Sequence, residues 1–168
     1  MENIILIGFM GAGKSTVGNR IAKKHNLKFI DTDRLIEDNT GKSITEIFET
    51  KGESEFRDLE TQAIKTIIEG EENILLSVGG GLPMREENRV LLRQLGKVVF
   101  LRIEPETVIK RLKNDNSRPL LKGDNAYAKI IELLQIRNPV YESIADIVID
   151  ADGKGSNKVI LEIEEGLQ

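Results

Sequence analysis

The 168-residue sequence contains no cysteine, so neither a disulfide framework nor a thiolate metal site is possible. This composition suits a reducing compartment, and we expect the protein to be cytoplasmic. The sequence also lacks any apolar run near the roughly 18 residues that a membrane-spanning helix needs. The opening Met1-Glu2-Asn3 lacks the basic residues that begin a signal peptide. We therefore expect no association with a membrane.

An excess of positive charge is absent as well. The chain has 24 Lys and Arg against 28 Asp and Glu, which gives a formal net charge of −4. Because proteins that bind nucleic acid normally carry a basic surface, we expect no nucleic-acid partner. Internal repeats and linkers are also lacking, so the length predicts one domain over residues 1–168, which we expect to be a monomer. The one histidine, His25, is interpreted as a surface residue.

Apolar runs of strand length alternate with stretches of helical period. Strands are predicted at residues 4–7, 27–30, 74–78, 98–101 and 147–149, with helices between and after them. The helix after the third strand is predicted to place Val90, Leu91 and Leu95 inward. Unbroken Val, Ile and Leu runs indicate a parallel sheet that is covered by helices on both faces. The fold class is therefore predicted to be α/β, with three layers in the order α/β/α.

A phosphate-binding loop is indicated directly after the first strand. Gly8-Phe9-Met10-Gly11-Ala12-Gly13-Lys14-Ser15 fits the pattern G-x-x-x-x-G-K-[ST] in full, between a strand and a helix. Such a loop turns backbone N–H groups toward phosphate oxygens at a helix N-terminus. Lys14 can reach the β- and γ-phosphates, and the Ser15 hydroxyl can bind Mg²⁺. The alternative, a glycine-rich turn with a solvated lysine, requires a chance match expected in roughly one such chain in a hundred or fewer.

Two carboxylates follow the second strand, at Asp31 and Asp33. Ligands of open parallel sheets bind outside the carboxyl ends of the strands. Residues i and i+2 of an extended strand share a face, so both carboxylates could point into one site, one toward Mg²⁺ and the other toward an acceptor hydroxyl. Alternatively, they are a strand end and a helix N-cap, which aspartate favours. The spacing leaves both interpretations open.

A glycine triplet and two arginines are further candidates for a binding site. Gly79-Gly80-Gly81 follows the third strand and either lets a ligand approach the backbone closely or forms a plain tight turn. Arg57 precedes a long helix, whereas Arg137, in Arg-Asn-Pro-Val-Tyr, belongs to a motif that interrupts a helical stretch. Each arginine could pair bidentately with a carboxylate or phosphate. Singly, however, each is more typical of a surface arginine.

Residues 114–125 are rich in turn formers yet contain Arg118-Pro119-Leu120-Leu121. A stretch of this kind inside a compact domain is typical of a disordered segment or a functional lid. A phosphoryl-transfer site gains from an arginine that arrives late and neutralises developing charge. Closure over the site also excludes water. We therefore predict a mobile lid that carries Arg118.

In combination, these motifs resemble those of the shikimate kinase family. Its members are small kinases with the P-loop NTPase fold, related to the nucleoside monophosphate kinases. The resemblance rests on G-F-M-G-A-G-K-S, D-T-D, F-R, G-G-G, R-P-L-L and R-N-P-V-Y, in that order over nearly the whole chain. It implies a five-stranded parallel sheet of order 2-3-1-4-5, a lid at about 114–125 and an acceptor-binding region at about 32–60. The implied activity is ATP-dependent phosphorylation of shikimate to shikimate 3-phosphate in aromatic amino-acid biosynthesis, with Mg²⁺ as cofactor.

The resemblance also implies a role for each matching position. The residues implied to bind ATP are Gly11, Ala12, Gly13, Lys14, Ser15, Thr16, Arg111 (against adenine), Arg118 and Lys154. The residues implied to bind shikimate are Asp33, Phe48, Phe56, Arg57, Gly79, Gly80, Gly81 and Arg137, with the two arginines on its carboxylate. Mg²⁺ would be held by Ser15 and, through water, by Asp31. Catalysis would depend on Lys14, Asp33 and Arg118, with Asp33 as a positioning group or a base.

Three other functions remain open. A gluconate kinase could use two arginines for its own acid, although F-R together with R-N-P-V-Y favours shikimate. A nucleoside monophosphate kinase shares the architecture. A nucleotide-binding regulatory module that has lost catalysis is the third alternative, but it need not preserve Asp31, Asp33, Arg57, Arg118 and Arg137.

Overall fold

The computed structural model describes residues 1–113 and 125–168. The strands are β1 (Ile4–Ile7), β2 (Lys28–Asp31), β3 (Ile74–Ser77), β4 (Lys97–Arg102) and β5 (Ile147–Asp150). The helices are α1 (Lys14–His25), α2 (Thr32–Thr40), α3 (Ile44–Lys51), α4 (Glu53–Gly70), α5 (Glu86–Leu95), α6 (Pro105–Leu112), α7 (Ala126–Ile144) and α8 (Ser156–Leu167). A 3₁₀ turn, Leu82–Met84, lies between β3 and α5. Arg118 and the predicted lid, apart from its last residue, lie outside the described residues.

The strands form one parallel sheet in the order β2-β3-β1-β4-β5. Central β1 pairs with β3 and β4, so that Ile5 lies opposite Leu76 on one side and Val98 on the other. The predicted α/β class, strand number and strand order are therefore confirmed. Each observed strand begins and ends within one residue of its predicted bounds.

Both faces of the sheet are covered by helices, which explains the unbroken apolar runs. Alternate residues of a strand point to opposite faces. Ile4 and Leu6 pack in a cluster with residues of α1 and α8, whereas Ile5 and Ile7 pack with residues of α4 and α5. All four side chains are at most 1% exposed. A strand that is buried on both faces cannot alternate apolar with polar residues.

Helix α5 corrects the predicted inward face in part, since Leu91 and Leu95 pack against the core as predicted but Val90 does not. Val90 is 53% exposed, whereas Asn88 and Leu92, one helical turn apart, are fully buried. Asn88 is tolerated there because its amide accepts a hydrogen bond from the Thr61 hydroxyl at 2.8 Å and donates one to the Leu82 carbonyl at 2.9 Å. The sequence pattern was misleading because the buried face of α5 contains a polar residue, Asn88, whose hydrogen bonds are formed within the protein.

Helix α7 runs without a break through Pro139, so the predicted interruption is wrong. Proline inside a helix removes one backbone hydrogen bond and costs about 3 kcal/mol. Tertiary packing offsets this cost, since Leu134 is buried before the proline and Tyr141 and Ile144 are buried after it. The same continuity places Arg137 on the inward face of the helix.

Helix α4 begins at Glu53, so Arg57 lies inside it rather than before it. Gly52, with a φ of 86°, ends α3 and lets α4 start at once. Helices α2, α3 and α4 share a separate small core of Ile36, Ile47, Phe56 and Ala63. This core supports the predicted acceptor-binding region beside the sheet.

Helix α8 is tied to α1 by polar contacts. His25 is partly buried, with 27% of its side chain exposed, and its Nε2 lies 2.7 Å from the Glu164 carboxylate. Lys24 pairs with the same carboxylate at 2.8 Å. The interpretation of His25 as a simple surface residue is therefore incomplete. Among the described helices, none combines the length and apolarity needed to cross a membrane.

Candidate active site

A cavity of about 270 Å³ opens at the carboxyl ends of β1, β2 and β3. Such strand ends are where open parallel sheets bind ligands. The lining residues come from the loop after β1 and the start of α1, from the ends of β2 and β3, from α2, α3, α4, α6 and α7, and from the loop after β3. They are Met10, Gly11, Gly13, Lys14, Ser15, Thr16, Asp31, Asp33, Ile44, Phe48, Phe56, Arg57, Glu60, Ser77, Val78, Gly79, Gly80, Gly81, Leu112 and Arg137. The cavity thus brings together motifs that span more than 120 residues of sequence.

The loop after β1 has the geometry of a phosphate cradle. Gly11 and Gly13 have φ angles of 83° and 93°, a region that non-glycine residues rarely adopt. Gly13 caps α1 without a side chain, and the first residues of the helix line the cavity, so their N–H groups are available as anion donors. Lys14 Nζ donates to the carbonyls of Gly8 at 2.7 Å and Phe9 at 3.1 Å. Ala12, 3% exposed, anchors the loop in the core.

Asp31 serves both interpretations that its sequence position allowed. Its Oδ1 accepts a hydrogen bond from the Arg34 N–H at 3.2 Å, so Asp31 is the N-cap of α2. Its Oδ2 accepts a hydrogen bond from the Ser15 hydroxyl at 3.0 Å. One carboxylate therefore starts a helix and faces the phosphate loop. Two hard oxygen donors, of the kind that Mg²⁺ prefers, lie together there.

Asp33 does not share a strand face with Asp31, because β2 ends at Asp31 and Asp33 lies in the first turn of α2. The prediction that a shared strand face brings the two carboxylates together is therefore wrong, although both line the cavity. Because Asp31 caps α2, the helix begins at Thr32 and the strand does not extend to Asp33. Between them, buried Thr32 accepts a hydrogen bond from the Gly79 N–H at 2.9 Å, which ties α2 to the glycine loop.

The glycine triplet lies against the polar side chains of the site. A Cβ atom on Gly79 would lie 2.7 Å from Asp33 Oδ1, and one on Gly80 would lie 3.1 Å from Arg137 Nη1. A Cβ on Gly81 would overlap the Arg57 guanidinium. These contacts are shorter than van der Waals distance, so the triplet is a close-approach site and more than a plain turn.

The two candidate arginines are not surface residues. Arg137 is 4% exposed and lies over the Phe9 ring, with its Cζ 5.5 Å from the ring centroid. The side chain of Arg57 is 14% exposed and donates to Glu60 at 2.6 Å and to Glu53 at 3.3 Å. The surface interpretation of each was wrong because the helices α4 and α7 turn these positions toward the cavity. A buried and a half-buried cation on one wall suit an anionic ligand.

An apolar wall stands beside these cations. The rings of Phe48 and Phe56 are 5.0 Å apart at their centroids, in a tilted arrangement. The Arg57 guanidinium lies 5.3 Å from the Phe56 ring centroid. The wall and the cations together suit a small molecule with an apolar ring face and an acidic group.

Glu60 is a site residue that sequence reasoning missed. It is fully buried, its Oε1 accepts from Arg57, and its Oε2 has no hydrogen-bond partner among the described residues. Burial raises the pKa of Glu60 to about 7, although the charges of Arg57 and Arg137 oppose the rise and Asp33 adds to it. The sequence did contain a signal for the burial of Glu60, because this residue falls on the apolar face of α4, three residues after Arg57.

Within the described ranges, three predicted ATP-site residues do not line the cavity: Ala12, Arg111 and Lys154. Arg111 lies beside the phosphate loop, where its Nη1 donates to the Gly11 carbonyl at 2.6 Å. Lys154, after β5, pairs with Glu162 of α8 at 2.8 Å. Arg118 lies outside the described residues. Among the described residues, no group of three or more histidines and carboxylates could hold a metal ion.

Comparison with known proteins finds similar sequences and structures. The family model described as shikimate kinase matches residues 10–168. The shikimate kinase of Sulfurihydrogenibium sp. (strain YO3AOP1) is 47% identical over 97% of this chain and 96% of its own. A solved structure, shikimate kinase from Acinetobacter baumannii in complex with shikimate, matches with a TM-score of 0.95 and 36% identity, covering 99% of this chain and 93% of that one.

A gluconokinase from Sinorhizobium meliloti matches less closely, with a TM-score of 0.61 and 17% identity over 99% of this chain and 91% of its own. That likeness shows the shared fold alone. The family model and the curated relative, by contrast, cover nearly the whole chain. The chain therefore belongs to the shikimate kinase family, a family of small-molecule kinases with the P-loop fold.

Proposed function

We propose that this protein transfers the γ-phosphoryl group of ATP to the 3-hydroxyl of shikimate, which yields shikimate 3-phosphate and ADP. As a member of the shikimate kinase family it is a small-molecule kinase that uses ATP as phosphoryl donor. The observation that carries the proposal is the continuity of one cavity from the phosphate loop to Arg57 and Arg137. A donor site and an acid-binding site that share a cavity allow in-line transfer between them.

On the donor side, the phosphates of ATP bind the N–H groups of residues 11–16 at the start of α1. Lys14 now donates to carbonyls of its own loop, and it exchanges them for β- and γ-phosphate oxygens when ATP arrives. Arg111 already lies at the loop and is assigned to the adenine side. Lys154 and Arg118 complete the proposed ATP contacts.

The residues present fit a magnesium ion. Ser15 and Asp31 offer a hydroxyl and a carboxylate within 3.0 Å of each other. Mg²⁺ in kinases takes few protein ligands and completes its octahedron with water and phosphate oxygens, so a larger cluster of carboxylates is not required. Ser15 would hold the ion directly and Asp31 through water. When bound, the ion would neutralise charge on the β- and γ-phosphates.

On the acceptor side, the Arg57 and Arg137 guanidinium groups bind the shikimate carboxylate. A guanidinium presents a planar fork of N–H donors that matches a carboxylate. The glycine triplet leaves room for the ligand beside Arg57, Arg137 and Asp33. Phe48 and Phe56 cover the apolar face of the ring. With the carboxylate fixed at this end of shikimate, a hydroxyl on another part of the ring points toward ATP.

Asp33 orients the acceptor hydroxyl and accepts its proton. As the oxygen–phosphorus bond forms, the bond between the γ-phosphorus and the β,γ-bridging oxygen breaks, and ADP leaves with that electron pair. Phosphoryl transfer asks a protein mainly for alignment and neutralisation of charge, which Lys14 and Arg118 supply. Asp33 is well placed because it contacts the same glycine loop that adjoins both arginines.

The test is release of ADP from MgATP by the purified protein, with shikimate, gluconate and AMP offered separately. The Lys14→Ala protein, purified in parallel, measures contaminating kinase activity. Strong release with shikimate alone supports the proposal. Release with gluconate would favour the rival acid, for which the two arginines would serve equally well. ATP binding without ADP release for every acceptor would favour a non-catalytic nucleotide-binding module.

We propose further that the protein acts as a cytoplasmic monomer. The absence of cysteine suits a reducing compartment. All the described residues assigned to catalysis and binding come from one chain, so a second copy is not needed to complete the site. Size-exclusion chromatography with light scattering tests this, since a stable dimer would double the measured mass.

A further inference from the structure

Tyr141 ends the Arg-Asn-Pro-Val-Tyr motif, and the proposed reaction assigns it no role. Its side chain is fully buried, and its ring packs on Phe100 with the centroids 5.0 Å apart. Tyr141 follows Arg137 by four residues in continuous α7, so both side chains project from the same face. That face is turned toward the cavity, where Arg137 is one of the lining residues.

The Tyr141 hydroxyl lies between Arg137 and the glycine loop. It donates a hydrogen bond to the Gly80 carbonyl at 2.5 Å. A Cβ atom on Gly80 would lie 3.4 Å from the phenol oxygen and 3.1 Å from Arg137 Nη1, so the phenol and the guanidinium stand side by side against Gly80. Burial raises the pKa of Tyr141 to about 12, although the charge and hydrogen bonding of Arg137 oppose the rise. The phenol therefore keeps its proton at neutral pH.

The two arginines are held in different ways. Arg57 is held by two carboxylates, those of Glu53 and Glu60. Within residues 1–113 and 125–168, Arg137 has no carboxylate at ion-pair distance, and its contacts are the Phe9 ring and the Tyr141 phenol. Because no described carboxylate forms an ion pair with it, this guanidinium is available to an incoming anion.

We propose that Tyr141 is a positioning residue for the acceptor, whose hydroxyl holds the Arg137 guanidinium and the Gly80 carbonyl in the arrangement that receives the acceptor carboxylate. This inference rests on the proposed function, since it takes Arg137 to bind that carboxylate. Tyr141 acts through Arg137 and Gly80 and touches no reacting atom. Its loss should therefore weaken acceptor binding and leave the donor side unchanged.

The test is the Tyr141→Phe variant, which removes the hydroxyl and retains the ring that packs on Phe100. We expect the KM for shikimate to rise roughly tenfold, since the hydroxyl that bonds the Gly80 carbonyl beside the Arg137 guanidinium is lost. The kcat and the KM for ATP should stay within about twofold of the wild type. The chain has one other tyrosine, so Tyr127→Phe is the matched control. Tyr127 is 48% exposed and contacts Glu106, and its variant should behave as the wild type does.

A double-mutant cycle separates positioning from a general structural role. If Tyr141 acts through Arg137, then Tyr141→Phe should change the shikimate KM by less than about twofold when Arg137→Lys is already present. Equal fold-changes in the two backgrounds would overturn the proposal. So would a Tyr141→Phe protein with reduced thermal stability and an unchanged shikimate KM. A wild type that does not turn over shikimate defeats the proposed function itself, which is a different result.

A second measurement keeps the hydroxyl in place. In the Tyr127→Phe protein, biosynthetic 3-fluorotyrosine labels Tyr141 alone. We expect its ¹⁹F resonance to shift when shikimate binds and to stay in place when a non-hydrolysable ATP analogue binds. A resonance that does not respond to saturating shikimate would overturn the proposal even if the Tyr141→Phe variant failed to fold.

Discussion

Arg57 and Glu60, one turn apart on α4, form a buried ion pair in which Arg57 Nη1 donates to Glu60 Oε1 at 2.6 Å. The second Glu60 oxygen has no hydrogen-bond partner among the described residues. The guanidinium partly compensates the carboxylate, but burial outweighs this attraction and raises the pKa of Glu60 from its ordinary 4.5 to about 7. A carboxyl group that titrates near neutrality is therefore built into the wall that binds the acceptor.

The raised pKa of Glu60 predicts a pH-dependent stability. The folded state holds this proton more tightly than the unfolded state, so the contribution is complete below pH 4.5 and is lost as the pH rises through about 7. A shift of this size corresponds to about 3 kcal/mol. In Glu60→Gln the dependence should vanish, so the variant gains stability relative to the wild type between pH 5 and pH 8. Denaturant unfolding at several pH values measures the difference.

Glu69→Gln, on the exposed face of the same helix, is the control for the change in charge. Its stability relative to the wild type should not change with pH in this window. A Glu60→Gln protein that follows the wild-type pH profile would show that Glu60 stays ionised in its buried position.

Gly81→Ala should weaken acceptor binding without unfolding the protein. Gly81 has φ −89° and ψ −10°, which alanine adopts easily. Its new Cβ would overlap the Arg57 guanidinium, the far end of a flexible side chain, which must move away. We expect the shikimate KM to rise by on the order of tenfold or more while the KM for ATP is retained. Steady-state kinetics with each substrate varied measures both.

Gly70→Ala is the matched glycine control, because a Cβ there meets no atom within 4 Å. It should leave both KM values unchanged. If Gly81→Ala also leaves the shikimate KM unchanged, then Arg57 does not bind the acceptor.

Arg137→Lys should sharply reduce use of the acceptor. An ammonium keeps the charge but cannot reproduce the planar fork of the guanidinium. We expect a rise of roughly tenfold or more in the shikimate KM, with ATP binding retained. Arg93→Lys, at an exposed position of α5, is the control. An unchanged response to shikimate concentration would remove Arg137 from the proposed clamp.

Lys14→Ala should abolish most turnover while the fold is retained. The variant loses the cation that reaches the β- and γ-phosphates, and kcat should fall on the order of a hundredfold or more. Circular dichroism and thermal unfolding check the fold, and Lys23→Ala, exposed on the same helix, checks for nonspecific loss of charge. Near-normal turnover in a folded Lys14→Ala protein would refute the phosphate cradle.

Asp31→Asn separates the two contacts of Asp31. Asparagine caps helices as well as aspartate does, so the start of α2 should be preserved. The charge that faces Ser15 is lost, so the Mg²⁺ concentration needed for half-maximal rate should rise several-fold at constant ATP. Rate measurements over a magnesium titration, with thermal unfolding in parallel, test this. An unchanged magnesium dependence would remove Asp31 from the metal site.

Where the functional residues are close together in sequence, the amino-acid pattern was sufficient to predict their structure. The phosphate loop lies within residues 8–15: its glycines lie between β1 and α1, and Lys14 and Ser15 are the first two residues of α1. The geometry of such a loop depends on the φ angles that its own residues allow, so the pattern implies the structure. The parallel sheet was equally predictable, because strands buried on both faces must be apolar throughout.

Where the burial and contacts of a residue depend on neighbours that are distant in sequence, the amino-acid pattern was ambiguous or misleading. Arg57 and Arg137 look like surface arginines in sequence, yet α4 and α7 carry both to one wall. Except for its position on the apolar face of α4, Glu60 has no feature in the sequence that sets it apart from other helical glutamates, yet it is fully buried. Val90 looked apolar enough to face inward but is exposed, whereas polar Asn88 is buried because Thr61 and Leu82 satisfy it.

The sequence by itself therefore determined the fold class, the strand order through family resemblance, and the phosphate loop, because each follows from local patterning or from motifs in a set order. The tertiary structure alone decided which side chains meet. It placed Asp33, Arg57 and Arg137 against the glycine triplet, buried the Glu60 carboxyl and set the Tyr141 hydroxyl beside Arg137. Burial and the proximity of charges depend on packing between remote segments, and they set the pKa and the orientation of each group.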